Sequence, residues 1–153
     1  MIRYVDGDLL EMARNKEFDV IGHCANCFCT FGAGIALQIK NQFPEAYIAD
    51  CNTKAGDLAK LGTISVAENI TPNIVNLYGQ YDFKGRREGK MDLDYDALKS
   101  ALTEMKEKYS GKKFGLPKIG SLLAGGDWNV IEAIIQEVFR GEYVTVVNYV
   151  PNK

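Results

Sequence analysis

Two segments of the chain share one pattern: an apolar strand, a glycine-rich loop and then a helix. The first strand, at 20–22, leads through the loop at 31–34 into a helix. The second strand, at 114–116, leads through the loop at 119–126 into a helix that begins at Asp127. In α/β sheets such loops lie at the carboxyl ends of strands, where ligands bind. The pattern therefore predicts an α/β fold with a ligand site built from both loops.

The rest of the chain alternates strand-like runs with helical periodicity, which favours a mixed, mostly parallel sheet covered by helices. The chain has 153 residues and neither an internal repeat nor a long linker, so we expect one domain over 1–153. Periodicity and capping residues predict strands at 2–5, 19–22, 63–67, 74–78, 114–116 and 143–149. The same signals predict helices at 34–43 and 44–54, one from near Asp94 to a stop at Gly111, and one from Asp127 to a stop at Gly141.

The charge and hydropathy of the chain exclude several classes of protein. The net charge is −2, so a broad basic field for nucleic acid is absent. The sequence has no signal peptide and no run near the ~20 apolar residues of a membrane span, so we expect a soluble, cytoplasmic protein. A local anion site remains open, because backbone N–H groups bind phosphate without any net charge.

The glycines of both loops suit a diphosphate. Glycine lets the backbone approach a ligand closely, and a following helix adds the positive end of its dipole. The loops lack the GxxxxGK[ST] motif and a full GxGxxG, which argues against nucleoside triphosphate hydrolysis and NAD redox chemistry. The alternative is that each loop is a plain tight turn. The glycines concerned are Gly32, Gly34, Gly120, Gly125 and Gly126.

Four stretches together resemble macrodomains, in the branch of small ADP-ribose-1''-phosphate phosphatases and terminal ADP-ribose–protein glycohydrolases. The stretches are VDGDL at 5–9, HCANCFCTFGAGIA at 23–36, NLYGQ at 76–80 and LPKIGSLLAGGDW at 116–128. The match as a whole covers nearly the entire chain, in the family's order. The resemblance implies a three-layer α/β/α macrodomain fold and a small-molecule ligand, ADP-ribose or ADP-ribose-1''-phosphate. It implies neither a metal nor a cofactor.

The resemblance also implies roles for individual residues. Asp8 would accept a hydrogen bond from the adenine amino group, and Asn26 would hold the distal ribose. The implied ligand-binding set is Asp8, Leu9, Phe31, Gly32, Ala33, Gly34, Ile35, Gly120, Ser121, Leu122, Leu123, Ala124, Gly125 and Gly126.

The residues expected for catalysis separate the family's two activities. The phosphatases have a histidine where His23 stands, whereas the glycohydrolases use a lysine and an aspartate. The chain has Gly79 or Gln80 at the position of the lysine and Ala124 at that of the aspartate. The resemblance therefore implies hydrolysis of ADP-ribose-1''-phosphate, with His23, Asn26 and Asp127 as catalytic residues. Two alternatives are removal of ADP-ribose from protein or nucleic acid, with ADP-ribosylated macromolecules as partners, and a non-catalytic ADP-ribose reader.

Each of these polar residues also has a purely structural interpretation. His23 follows an apolar strand and could be a hydrogen-bonded histidine at a strand end. Asn26 could be a turn residue in left-handed conformation. Asp8 could cap a short helix at 9–13, and Asp127 could cap the last helix.

Three cysteines lie in six residues beside the single histidine of the chain. Zinc is usually bound by four Cys and His ligands, but this CxxCxC spacing lacks a second ligand pair. We therefore expect Cys24, Cys27 and Cys29 to line the pocket as reduced thiols.

Overall fold

The structure is a computed structural model that describes residues 2–121 and 124–151, with 86 and 87 described by their backbone only. Its strands are β1 (Ile2–Gly7), β2 (Val20–Cys24), β3 (Ile64–Ala67), β4 (Asn73–Leu77), β5 (Lys113–Pro117) and β6 (Tyr143–Tyr149). Its α-helices are α1 (Leu9–Arg14), α2 (Gly34–Gln42), α3 (Pro44–Cys51), α4 (Tyr95–Tyr109) and α5 (Trp128–Val138). Two 3₁₀ helices span Leu58–Lys60 and Gly85–Glu88.

The six strands form one sheet in the order β1-β6-β5-β2-β4-β3. All neighbouring pairs are parallel except β3 and β4, so the predicted mixed, mostly parallel sheet is confirmed. Buried apolar residues at Val20, Ile21 and Ile74 explain why the central strands are covered on both faces, as parallel strands require.

Helices cover the sheet on both sides and complete the predicted three layers. One face packs against α4 and α5 through residues such as Leu98, Leu102 and Ile135. The other face packs against α1, α2 and α3 through Leu10 and Ile39, among others. Among the described residues, no helix is both long enough and apolar enough to span a bilayer.

The boundaries follow the capping residues that the sequence shows. Asp94 and Asp127 are the N-caps of α4 and α5, as expected. Gly111 and Gly141 adopt positive φ just beyond the ends of these helices, where glycine is favoured. The helix α3 ends at Cys51, three residues earlier than predicted.

Candidate functional site

The two glycine-rich loops follow neighbouring strands of the sheet. Loop 1 (residues 25–33) connects β2 to α2, and loop 2 (residues 118–127) connects β5 to α5. The strands β2 and β5 pair in parallel, with Val20 opposite Phe114. Their carboxyl ends therefore meet at one edge of the sheet, and the two loops begin side by side there. We call this edge the carboxyl edge.

Loop 1 leads into a helix whose N-terminus has no side-chain cap. The N-cap residue, Ala33, is exposed and extended, with φ −152° and ψ 163°, and the first turn of α2 carries no acidic residue. In an α-helix the first N–H groups lack an intrahelical acceptor, which applies here to Gly34, Ile35 and Ala36. These donors and the helix dipole form a site for an anion.

The N-terminus of α5, unlike that of α2, is capped by a side chain. The side chain of Asp127 accepts a hydrogen bond from the Asn129 N–H at 2.9 Å, which confirms its predicted capping role. The N–H of Asp127 itself donates to the Tyr95 hydroxyl at 2.9 Å. A carboxylate thus already occupies the positive end of α5, so of these two helix termini only that of α2 has uncapped N–H groups for an anion.

In loop 2, a main-chain hydrogen bond instead joins two of the glycines. The Gly126 N–H donates to the Gly120 carbonyl at 2.7 Å. A Cβ at Gly126 would lie 2.7 Å from the Gly120 carbonyl oxygen and against a methyl group of Leu93, so only glycine fits. Gly120 and Gly125 have φ of 71° and 77°, the left-handed region that favours glycine.

The other loop 2 residues expected to bind the ligand differ in their burial and hydrogen bonds. The Ala124 side chain is buried, and its carbonyl accepts the N–H groups of Asp92 and Leu93. The Ser121 hydroxyl donates to the Lys118 carbonyl at 2.9 Å. The expected ligand-binding residues Leu122 and Leu123 lie outside the described residues.

Asn26 braces the first turn of loop 1. Its Oδ1 accepts the Phe28 N–H at 2.8 Å, and its Nδ2 donates to the Thr30 hydroxyl at 2.8 Å. The left-handed residue of this loop is Cys29, with φ 59°, so the left-handed conformation considered for Asn26 is found there instead. A contact between Asn26 and a ligand would use the remaining acceptor capacity of its Oδ1.

His23 is fully buried beneath loop 1. Its Nε2 lies 2.6 Å from Oδ1 of Asn76, whose Nδ2 donates to the Ala46 carbonyl and the Ser65 hydroxyl. The Asn76 oxygen must therefore accept, which puts the proton of a neutral imidazole on Nε2. Burial lowers the pKa of His23 to about 4, while the bond to Asn76 opposes that shift. At neutral pH the ring is uncharged and out of contact with solvent, which favours the hydrogen-bonded alternative over proton transfer.

Asp8, the residue expected to contact adenine, lies farther along the carboxyl edge. Asp8 follows β1, which is separated from β5 only by β6, or about 10 Å at the usual strand spacing. Its Oδ1 accepts the N–H groups of Leu10 and Glu11 at 3.0 and 3.3 Å, which confirms the predicted cap of a short helix. A cleft of about 260 Å³ opens beside it, lined in part by Asp6 and Met12.

Two further expected ligand-binding residues have buried side chains. Leu9 and Phe31 are 4% and 3% exposed. The Phe31 ring meets the His23 ring edge-on, with centroids 5.2 Å apart. A contact of Leu9 or Phe31 with a ligand would therefore come from the main chain, as would one from Gly32.

The three cysteines near His23 contact different acceptors. The Cys24 and Cys27 thiols point to the side chain and the carbonyl of Gln80, and Cys29 points to the Asp50 carbonyl. All are free thiols, and burial raises the pKa of Cys24 to about 12. In the part of the chain that the structure describes, no three His, Cys, Asp or Glu residues are grouped to hold a metal ion.

A buried polar network that was not expected from the sequence lies below loop 1, built around Asp50, Lys60 and Tyr78. No motif marks these residues, because the charges lie ten positions apart, on α3 and on a 3₁₀ helix. An apolar environment around both charges is visible only once α3 is packed on the sheet.

Comparison with known proteins gives relatives that span the whole chain, although no protein-family model matches it. An uncharacterized 17.5 kDa protein of enterobacteria phage T4 is 30% identical over 99% of this chain and 98% of its own length. An ADP-ribose 1''-phosphate phosphatase of Debaryomyces hansenii is 29% identical, covering 95% of this chain and 98% of its own. The ADP-ribose glycohydrolase OARD1 of Bos taurus is 26% identical, covering 97% and 90%.

Solved structures agree on the fold. A macrodomain protein from Streptomyces coelicolor superposes with a TM-score of 0.74 at 26% identity, over 99% of this chain and 100% of that one. A Trypanosoma brucei macrodomain in complex with ADP-ribose superposes with a TM-score of 0.69 at 11% identity, over 96% of this chain and 63% of that one.

Proposed function

Because the chain belongs to the macrodomain family, we propose that it binds ADP-ribose along the carboxyl edge and hydrolyses ADP-ribose-1''-phosphate to ADP-ribose and phosphate. The observation that carries this proposal is the uncapped N-terminus of α2, at the end of a loop that begins beside the glycine-rich loop of the adjacent parallel strand. A diphosphate at this point would meet first-turn N–H groups from α2 and main-chain atoms from loop 2.

The position of Asp8 supports the orientation of the nucleotide. With the diphosphate at loops 1 and 2, adenine would extend toward the cleft beside β1. The distal ribose and its phosphate would then lie at loop 1, near Asn26. Polar atoms at both ends of the site are thus supplied by a single edge of the sheet.

The chemical step in this proposal depends on position and electrostatics. Water attacks phosphorus, the bond to the ribose oxygen breaks, and phosphate leaves while that oxygen gains a proton. The Asp127 carboxylate is exposed at the end of loop 2; in this proposal it accepts the proton of the attacking water and returns it to the departing ribose oxygen. Asn26 would hold the ribose, and the N–H groups of α2 would stabilise the phosphate charge.

His23 takes a different role in this proposal from the one that the resemblance implies. In this proposal His23 does not transfer a proton to the substrate, because its imidazole is fully buried and burial lowers its pKa to about 4. Its ring instead supports Phe31, the residue before Gly32, and so positions the loop.

The relatives include both a phosphatase and a glycohydrolase. In this chain, Gly79 or Gln80 stands at the expected position of the glycohydrolase lysine and Ala124 at that of the aspartate, so neither charged group is supplied there. The phosphatase reaction is therefore the better supported of the two.

The test is to incubate the protein separately with ADP-ribose-1''-phosphate and with an ADP-ribosylated protein, and to titrate it with ADP-ribose by calorimetry. We expect phosphate release from the first substrate, and Asp127→Asn should slow it while keeping the helix cap. Release of ADP-ribose from the protein would select the glycohydrolase instead. Binding without turnover would identify a reader, and no binding would overturn the whole proposal.

A further inference from the structure

A buried ion pair lies beneath loop 1, outside the residues assigned to the ligand. The ammonium of Lys60 is 3.7 Å from Oδ1 of Asp50, and the two side chains are 7% and 0% exposed. The other ion pairs among the described residues join exposed side chains. Transferring two charges from water to a protein interior is unfavourable unless further hydrogen bonds compensate, so the partners of this pair are informative.

The remaining N–H donors of Lys60 contact the main chain and a thiol of loop 1. Its Nζ donates to the Cys27 carbonyl at 3.2 Å and lies 3.6 Å from the Cys29 sulfur. The same carbonyl accepts the Gly56 N–H at 2.7 Å. Two donors from outside the loop therefore hold it at Cys27, one residue after Asn26.

Asp50 is held by a chain of hydrogen bonds that runs back to β2. The Tyr78 hydroxyl donates to its Oδ1 at 2.5 Å and lies 2.7 Å from the Ser65 hydroxyl. Ser65 in turn accepts from Asn76, the partner of His23. Burial raises the pKa of Asp50, whereas the Tyr78 hydrogen bond and the positive charge of Lys60 oppose that rise. The carboxylate is thus fixed in place under the loop.

We propose that Lys60 is a positioning residue that holds loop 1 in its ligand-binding shape through the Cys27 carbonyl, with Asp50 as the counter-charge. This inference rests on the proposed function, since the shape of loop 1 affects a ligand only if the ligand binds there. Lys60 does not touch the ligand in this scheme. It acts through the stretch of chain that carries Asn26.

The competing explanation is that the pair only stabilises the fold. The two explanations differ when both charges are removed together. Replacing both members of a buried ion pair by neutral residues is often neutral for stability, whereas removing one member leaves an unpaired charge or an empty donor site. A neutral pair should therefore restore stability without restoring the hold on Cys27.

The experiment compares Lys60→Met, Asp50→Asn and the double variant with the wild-type protein. We expect each single variant to unfold at a lower temperature and the double variant to recover part of that loss. ADP-ribose affinity by calorimetry should follow Lys60 instead, falling about tenfold in Lys60→Met and in the double variant, as for loss of a charged hydrogen bond. It should stay within about twofold of wild type in Asp50→Asn, where the bond to Cys27 persists.

Wild-type affinity in the double variant would overturn the inference and leave the pair as a fold element. If the wild-type protein does not bind ADP-ribose, the proposed function fails, and hydrogen exchange then decides the role of Lys60. The Gly56 N–H shares the Cys27 carbonyl with Lys60, so it should exchange faster in the double variant than in Asp50→Asn. Equal exchange in those two variants would also overturn the inference.

Discussion

The replacement Ala33→Asp should strengthen the fold and weaken ligand binding at the same time. Ala33 is the exposed N-cap of α2, its backbone is extended as an N-cap requires, and it supplies no side-chain acceptor. An aspartate there would accept an N–H of the first turn, which typically adds about 1 kcal/mol of stability. For a domain of this size that corresponds to a rise in Tm of roughly 2–4 °C.

The effect on binding has the opposite sign. The new carboxylate would use the donors that the proposal assigns to phosphate, and it would place like charges about 4 Å apart. Such a pair repels by about 1 kcal/mol in water and about 4 kcal/mol near a protein surface. Because Ala33 is exposed, we take a value near the lower end, about 1–2 kcal/mol. ADP-ribose affinity should then fall by roughly tenfold.

Ala33→Asn is the matched control, since asparagine caps a helix about as well but carries no charge. It should raise Tm by a similar amount and weaken binding less than the aspartate does. The difference between the two variants should shrink at high salt, where exposed charges are screened. Thermal unfolding and calorimetry at two ionic strengths supply all four comparisons. If Ala33→Asp binds ADP-ribose as tightly as the wild-type protein, the diphosphate does not lie at α2.

Two other predictions concern stability. The pKa of His23 is about 4 in the fold against 6.5 unperturbed, so its contribution is present above pH 6.5 and is lost as the pH falls toward 4. The free energy of unfolding from urea titration should drop by about 3 kcal/mol over that pH window. His23→Gln keeps a donor for Asn76 and should make this drop smaller. An unchanged dependence of the unfolding free energy on pH in the variant would contradict the prediction. Gly126→Ala should destabilise the fold by about 1–3 kcal/mol, because the new Cβ would meet Leu93. Gly32→Ala is the control and should be nearly neutral in thermal unfolding, because its Cβ would meet no other atom. Equal melting temperatures of the two variants would refute that argument.

The sequence predicted most of the fold because its local signals agree with its packing. The strand β2 is apolar throughout its first three residues and is buried on both faces. The helix α4 repeats its apolar residues at helical spacing and begins after an aspartate that caps it. Where periodicity, capping and glycine positions coincide in this way, no competing structure fits the same residues.

The site was predicted less completely, for two physical reasons. Whether a helix N-terminus is free depends on the side chain that folds back on it, which separates Ala33 from Asp127 although glycine precedes both helices. The burial of His23 depends on α3, whose Ala46 carbonyl lies beside Asn76. No sequence pattern marks Lys60, the lysine beneath loop 1, because its partners come from distant parts of the chain. The ligand-binding roles of individual loop residues stay predictions.

The bond between Gly126 and Gly120 has a consequence for the thermodynamics of recognition. Gly120 and Gly126 are already tied to each other before a ligand binds, so less of the interaction energy is consumed in ordering these two residues. The tie keeps them at a fixed spacing whichever side chains stand between them in the sequence.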